Sequence, residues 1–174
     1  MNEKMHIISA LVANKSGALT RISGLFARRG YNIDSLSVCA TEDGNLSRMT
    51  ITTTADESTV RQIIKQLDKL YDVIKVTELA RETSVARELL LVKIATCAGQ
   101  RPEIESTCNM YKAKLIDVSP ESTVIELTGE PNKIDGFINV VQPYGIIELT
   151  RTGLSALSRG KSSINDLVDY NETL

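Results

Sequence analysis

The chain has 174 residues, enough for one domain or two small ones, with 42% hydrophobic and 24% charged residues, the balance of an ordinary packed protein. A formal net charge of -2, 4% aromatics and no Trp argue against a general nucleic-acid or anionic-membrane binder, because a phosphate footprint needs cations and base stacking needs rings. The cysteines Cys39, Cys97 and Cys108 lack CxxC spacing, which disfavours a disulfide framework or zinc site. No run approaches the roughly 18–20 apolar residues of a membrane helix and no leader pattern opens the chain, so a cytoplasmic location is the expectation.

In chain order, the apolar run MHIISALVA at 5–13 reads as a strand. A polar turn, Asn14 to Gly17, leads into a helix over 18–29, where Ala18, Leu19, Ile22, Leu25 and Phe26 form one stripe. Gly30 stands where a helix C-cap needs left-handed backbone. A strand over 33–40 follows, with Leu36, Val38 and Ala40 on one face and Ser35, Ser37 and Cys39 on the other. Glu42-Asp43-Gly44-Asn45 signals a hairpin turn into a strand over 46–54. A helix over 57–70, carrying Val60, Ile63, Ile64, Leu67 and Leu70, and a strand over 72–79 close the unit.

The stretch ARETSVAR at 80–87 is polar, lacks alternation and reads as a linker. The pattern then repeats: strand 88–96, helix 101–111, strands 114–118 and 123–128, helix 132–142, strand 145–150. From Arg151 the chain is polar and Ser-rich, and 161–174 is expected to be a tail. Each β-α-β-β-α-β unit predicts a four-stranded antiparallel sheet in the order 4-1-3-2 with both helices on one face. The fold class is therefore α+β, two tandem ferredoxin-like domains at 1–79 and 88–160 joined by the linker at 80–87.

Motifs for catalysis are missing. There is no GxxxxGK[ST], and no GxGxxG follows a strand. The single histidine, His6, lies in the first strand without a companion and reads as structural; no catalytic residue and no metal ligand is assigned. An acylphosphatase-like enzyme would need an arginine in the first strand-to-helix loop, which here holds Lys15, without the planar fork that grips phosphoryl oxygens. An RNA-recognition sheet would need aromatics on its middle strands, which carry none.

The first loop is better suited to an amino acid. Asn14 offers an amide, Gly17 admits a ligand to the backbone, and the helix start presents free N–H groups and a positive dipole end to a carboxylate. A plain capped turn has the same spacing, and by spacing alone both readings stand. Asn32, after Gly30 and Tyr31, stands where a turn residue is more usual than a ligand contact.

The stretch NKSGALTRISGLFARRGYNIDSL, continued by NLSRMTI, closely resembles the ACT domain of acetolactate synthase small subunits. ELLLVKI, AKLIDVSPES, GEPNKIDGFI and GIIELTRTGLSALSRG are similar to that family's second domain and tail, so the resemblance spans about residues 5–160. It implies a regulatory subunit without an active site of its own, partnered with a large catalytic subunit that carries thiamine diphosphate, Mg and FAD, with no cofactor on this chain. It implies activation of that subunit, feedback by valine or else isoleucine or leucine in branched-chain amino-acid synthesis, and a homodimer through the ACT domains. Carried over residue by residue, Asn14, Ser16, Gly17 and Ala18 match the effector motif, and Asn32 with Ile33 match a second element contributed across the dimer interface. Cys39 stands where a small residue such as Ala is frequent, and Ala13 where an acidic one is. The other function classes in view are a stand-alone ACT-type amino-acid sensor or regulator and the acylphosphatase-like enzyme.

Overall fold

Alternation along β1 (Lys4–Ala13) decides the layering of the first half of the chain: Ile8, Ala10 and Val12 point to one side and are buried there. The helices α1 (Ala18–Arg29) and α2 (Glu57–Leu67) cover that side with Ile22, Leu25, Phe26, Val60, Ile63 and Leu67. Each such aliphatic or aromatic side chain contributes about 1.5–3 kcal/mol when fully buried. With β2 (Ser35–Ala40), β3 (Leu46–Ala55) and β4 (Val73–Glu78), the sheet runs β2-β3-β1-β4, all antiparallel, the order expected from the element sequence. This is a computed structural model, and it describes residues 3–166.

Local signals set the helix ends. Gly30 at φ 71 closes α1, with the Tyr31 N–H on Phe26 O at 3.0 Å and the Gly30 N–H on Ala27 O at 3.3 Å. Asp56 opens α2, its carboxylate accepting the Ser58 and Thr59 N–H groups at 2.8 and 2.9 Å. The helix stops at Leu67 rather than at 70, because the Leu70 N–H turns back to Leu67 O and the Val73 N–H to Leu70 O, each at 2.9 Å. Leu70 still packs on the core, but from a turn.

The second sheet repeats the plan. It comprises β5 (Ser84–Ala95), β6 (Lys114–Val118), β7 (Ser122–Gly129) and β8 (Ile146–Arg151) in the order β6-β7-β5-β8, with α3 (Arg101–Tyr111) and α4 (Pro131–Val141). Leu90, Val92, Ile94, Ile125 and Leu127 meet Ile104, Cys108, Ile134 and Phe137 in its core. Buried Glu88 pairs with Arg151, whose Nη1 also reaches Asp135 at 2.8 Å, so one guanidinium ties β5, β8 and α4. Both sheets have the expected ferredoxin-like architecture.

Boundaries differ from the sequence reading. The stretch expected as a linker holds a short 3-10 turn, Arg81–Thr83, and the first residues of β5. Arg87–Gly153 forms one compact unit, and the described residues on either side of it form the other. Residues 154–160, expected in the second domain, pack with the first unit. The reason is Ile7, which points away from the helices and needs cover: Leu154 and Ala156 bury it with Leu79, and Met5 and Ala86 pack alongside. An unanticipated strand, β9 (Ser155–Ser158), pairs with β5. Arg159 anchors its end, through its N–H to Thr83 O at 2.8 Å and its Nε to Ser84 O at 3.0 Å. Of the expected tail at 161–174, Ile164 is buried, and 167–174 lies outside the described residues.

Candidate functional site

The loop between β1 and α1 is fixed at its base. The Asn14 N–H donates to Asn45 O at 2.7 Å and its Nδ2 to Gly44 O at 2.9 Å, so the β2–β3 turn holds Asn14 and leaves its side-chain oxygen as an acceptor. The Lys15 N–H turns back to Ala13 O at 2.9 Å. Gly17 sits at φ 89, a left-handed conformation that strains any residue with a Cβ. A Cβ built there would find its nearest neighbour at Arg21 Nη2, 3.6 Å away, so the surface over Gly17 is open apart from that guanidinium.

No side chain caps α1, in contrast to Asp56 on α2. Ser16 and Gly17 are exposed. Ala18 is buried beneath the loop, and its N–H goes to Lys15 O at 3.3 Å. Its side chain seats the loop on the core. Gly24 has no packing role: a Cβ there would meet only Arg28 Nη1, at 3.8 Å.

The second element is built differently. Asn32 is exposed; its Nδ2 donates to Asp34 Oδ1 at 2.7 Å and its carbonyl accepts the Thr53 hydroxyl at 2.7 Å. Ile33 is half-buried against the core. The loop and Asn32 do not meet within one chain. Asn14 is bonded to Asn45, just before β3, whereas the Asp34 N–H is bonded to Thr52 O at 2.8 Å, seven positions further along that strand. At ~3.3 Å per residue the two elements are about 23 Å apart along the sheet. They flank opposite ends of β2, an edge strand whose Val38, Cys39 and Ala40 are exposed.

Two residues beside the loop were not found from sequence. Asp72, buried just before β4, accepts the Arg21 Nε with its carboxylate and the Ala13 N–H with its backbone oxygen at 2.8 Å. Arg21 and Asp72 are 51 positions apart, and no local pattern links them. His6 is buried with its Nδ1 on Glu78 Oε1 at 2.6 Å and its Nε2 without a partner among the described residues. Burial pushes the Cys108 thiol up, away from the thiolate; Cys39 and Cys97 are exposed. Among the described residues no three His, Cys, Asp or Glu gather into a metal-ligating group, and no helix is long and apolar enough to cross a membrane.

Comparison with known proteins covers both sheets. A family profile described as "AHAS small subunit-like ACT domain" matches residues 8–75, and one described as "Small subunit of acetolactate synthase" matches residues 87–160. An acetolactate synthase small subunit of Mycobacterium bovis is 46% identical over 164 residues, 94% of this chain and 98% of that one. A probable acetolactate synthase small subunit of Archaeoglobus fulgidus is 48% identical over 155 residues, 89% and 97% respectively. The crystal structure of an acetolactate synthase small subunit from Thermotoga maritima superposes with a TM-score of 0.85 at 38% identity, covering 91% of this chain and 99% of that one.

Proposed function

The chain belongs to the acetolactate synthase small-subunit family, and on that premise we propose that it is the enzyme's regulatory subunit. It binds a large catalytic subunit, raises its acetolactate-forming activity, and returns a feedback signal from a branched-chain amino acid, valine first, with isoleucine and leucine as the other candidates. Thiamine diphosphate, Mg and FAD belong to the catalytic partner in this reading. The three free cysteines fit a reducing compartment such as the cytoplasm.

The observation that carries the effector reading is the separation of Asn14 from Asn32 along the sheet. A two-fold axis normal to the sheet reverses strand direction, so the β2 edges of two chains run antiparallel. The Asn32 end of one chain then lies beside the loop end of the other. A homodimer of this kind pairs an exposed edge that a lone chain leaves open, and it completes two equivalent sites. At each, Asn14, Ser16 and Gly17 of one chain would face Asn32 and Ile33 of its partner. The amide oxygen of Asn14 suits the effector's ammonium, and the open α1 terminus suits its carboxylate.

A site shared by two chains converts ligand binding into a change of dimer geometry, and ~1–3 kcal/mol of coupling is enough for feedback. One methylene changes pocket affinity by only ~1–3 kcal/mol, so valine is favoured over leucine without excluding it. The test is acetolactate formation by a purified large subunit with and without this chain, titrated with valine, isoleucine and leucine. Activation by the chain, reversed by one of these amino acids, is the expected result. Unchanged activity on adding the chain would contradict the reading.

A further inference from the structure

Arg21 lies one helical turn after Gly17, and helical side chains lean toward the N-terminus, so it reaches back over the loop. Its Nε is taken by the carboxylate of Asp72, whose side chain is only 3% exposed, while the Arg21 side chain is 58% exposed. Arg21 Nη2 lies 3.6 Å from where a Gly17 Cβ would project. The arginine is therefore gripped by its inner nitrogen and carries its Nη2 to the open face of the loop. Asp72 does a second thing: its backbone oxygen holds the Ala13 N–H at 2.8 Å, at the end of β1 where the loop starts. One buried residue thus sets both the root of the loop and the cation above it.

We propose that Arg21, positioned by Asp72, is the cation that receives the carboxylate of the amino-acid effector at the Gly17 loop. The assignment rests on the branched-chain-effector reading above and extends it to the chemistry of recognition. A guanidinium presents parallel N–H donors that match a carboxylate, and a charge-assisted contact of this kind discriminates against a neutral amide. It also gives Gly17→Asp a specific consequence. The new carboxylate would project beneath Arg21 and occupy the place the effector's carboxylate needs.

The test is calorimetry on the full chain with L-valine, L-isoleucine, L-leucine and L-valinamide. Wild type is expected to bind valine and to bind valinamide, which lacks the carboxylate, at least about tenfold more weakly. In Arg21→Gln the valine affinity falls by about tenfold or more while valinamide binding stays as it was, so the preference for the carboxylate collapses. In Arg21→Lys, which keeps the charge and loses the fork, part of the preference remains. A general loss of stability would weaken both ligands together and leave their ratio unchanged. Should Arg21→Gln fail to fold by circular dichroism, the ratio in Arg21→Lys decides. An unaltered valine-to-valinamide ratio in a folded Arg21 variant overturns the assignment of Arg21 and leaves the effector reading standing. Absence of binding to wild type by all three amino acids overturns the effector reading, and this proposal with it.

Discussion

Asp56 and Gly17 show two uses of one position, the residue before a helix. At α2 the position is filled by a side chain: hydrogen bonds from the Ser58 hydroxyl and the Thr59 N–H hold the Asp56 carboxyl at about 2, below its ordinary 3.8. A carboxyl depressed by folding stabilises the fold above its unfolded value and loses that contribution as pH falls through the folded one. Replacing Asp56 with Ala should lower the melting temperature at neutral pH, and the gap from wild type should narrow between about pH 4 and pH 2. Thermal melts across that range check it; a gap constant down to pH 2 would show that the cap contributes no charge-dependent stability. At α1 the same position is Gly17, whose left-handed backbone and missing Cβ leave the helix start uncapped by any side chain. The first site fixes a helix; the second keeps a surface open.

At the scale of elements, period-2 and period-3.6 patterns were enough to place both sheets and the four α-helices of the described residues, since each buries one face against one core. What those patterns missed was long-range. β9 is four residues long, Ser155–Ser158, too short for alternation to register, and its reason for existing is Ile7, nearly 150 positions earlier. The early stop of α2 likewise depends on turn bonds around Leu70 that hydrophobic spacing does not encode. In the candidate site, the loop's residue types were legible because glycine and asparagine have local meanings. Arg21 carries no local signal because its partner Asp72 is remote in sequence. Leu154→Ala tests the role of the returning segment. Leu154 is 3% exposed against Ile7 and Leu79, so the substitution should cost about 2–5 kcal/mol by chemical denaturation. A loss near zero would mean that this segment does not stabilise the first unit.

At the scale of the whole molecule, the proposed site draws on the Gly17 loop and on Asn32, which lie toward opposite ends of an open sheet edge. That arrangement has a consequence that no single-chain pocket shares: defects in different halves should complement each other across a dimer. Gly17→Asp should silence the loop half, and Asn32→Ala the other half. In a dimer of one chain of each kind, one site carries both defects and the other carries neither. Valine titration of each variant alone, and of the two refolded together in equal amounts, is the most direct measurement. Each variant alone should bind no valine, and the mixture should recover about one quarter of the wild-type sites at wild-type affinity, since half the dimers are mixed and each has one intact site. A mixture as silent as its components, while wild type binds valine normally, would contradict a site shared between two chains.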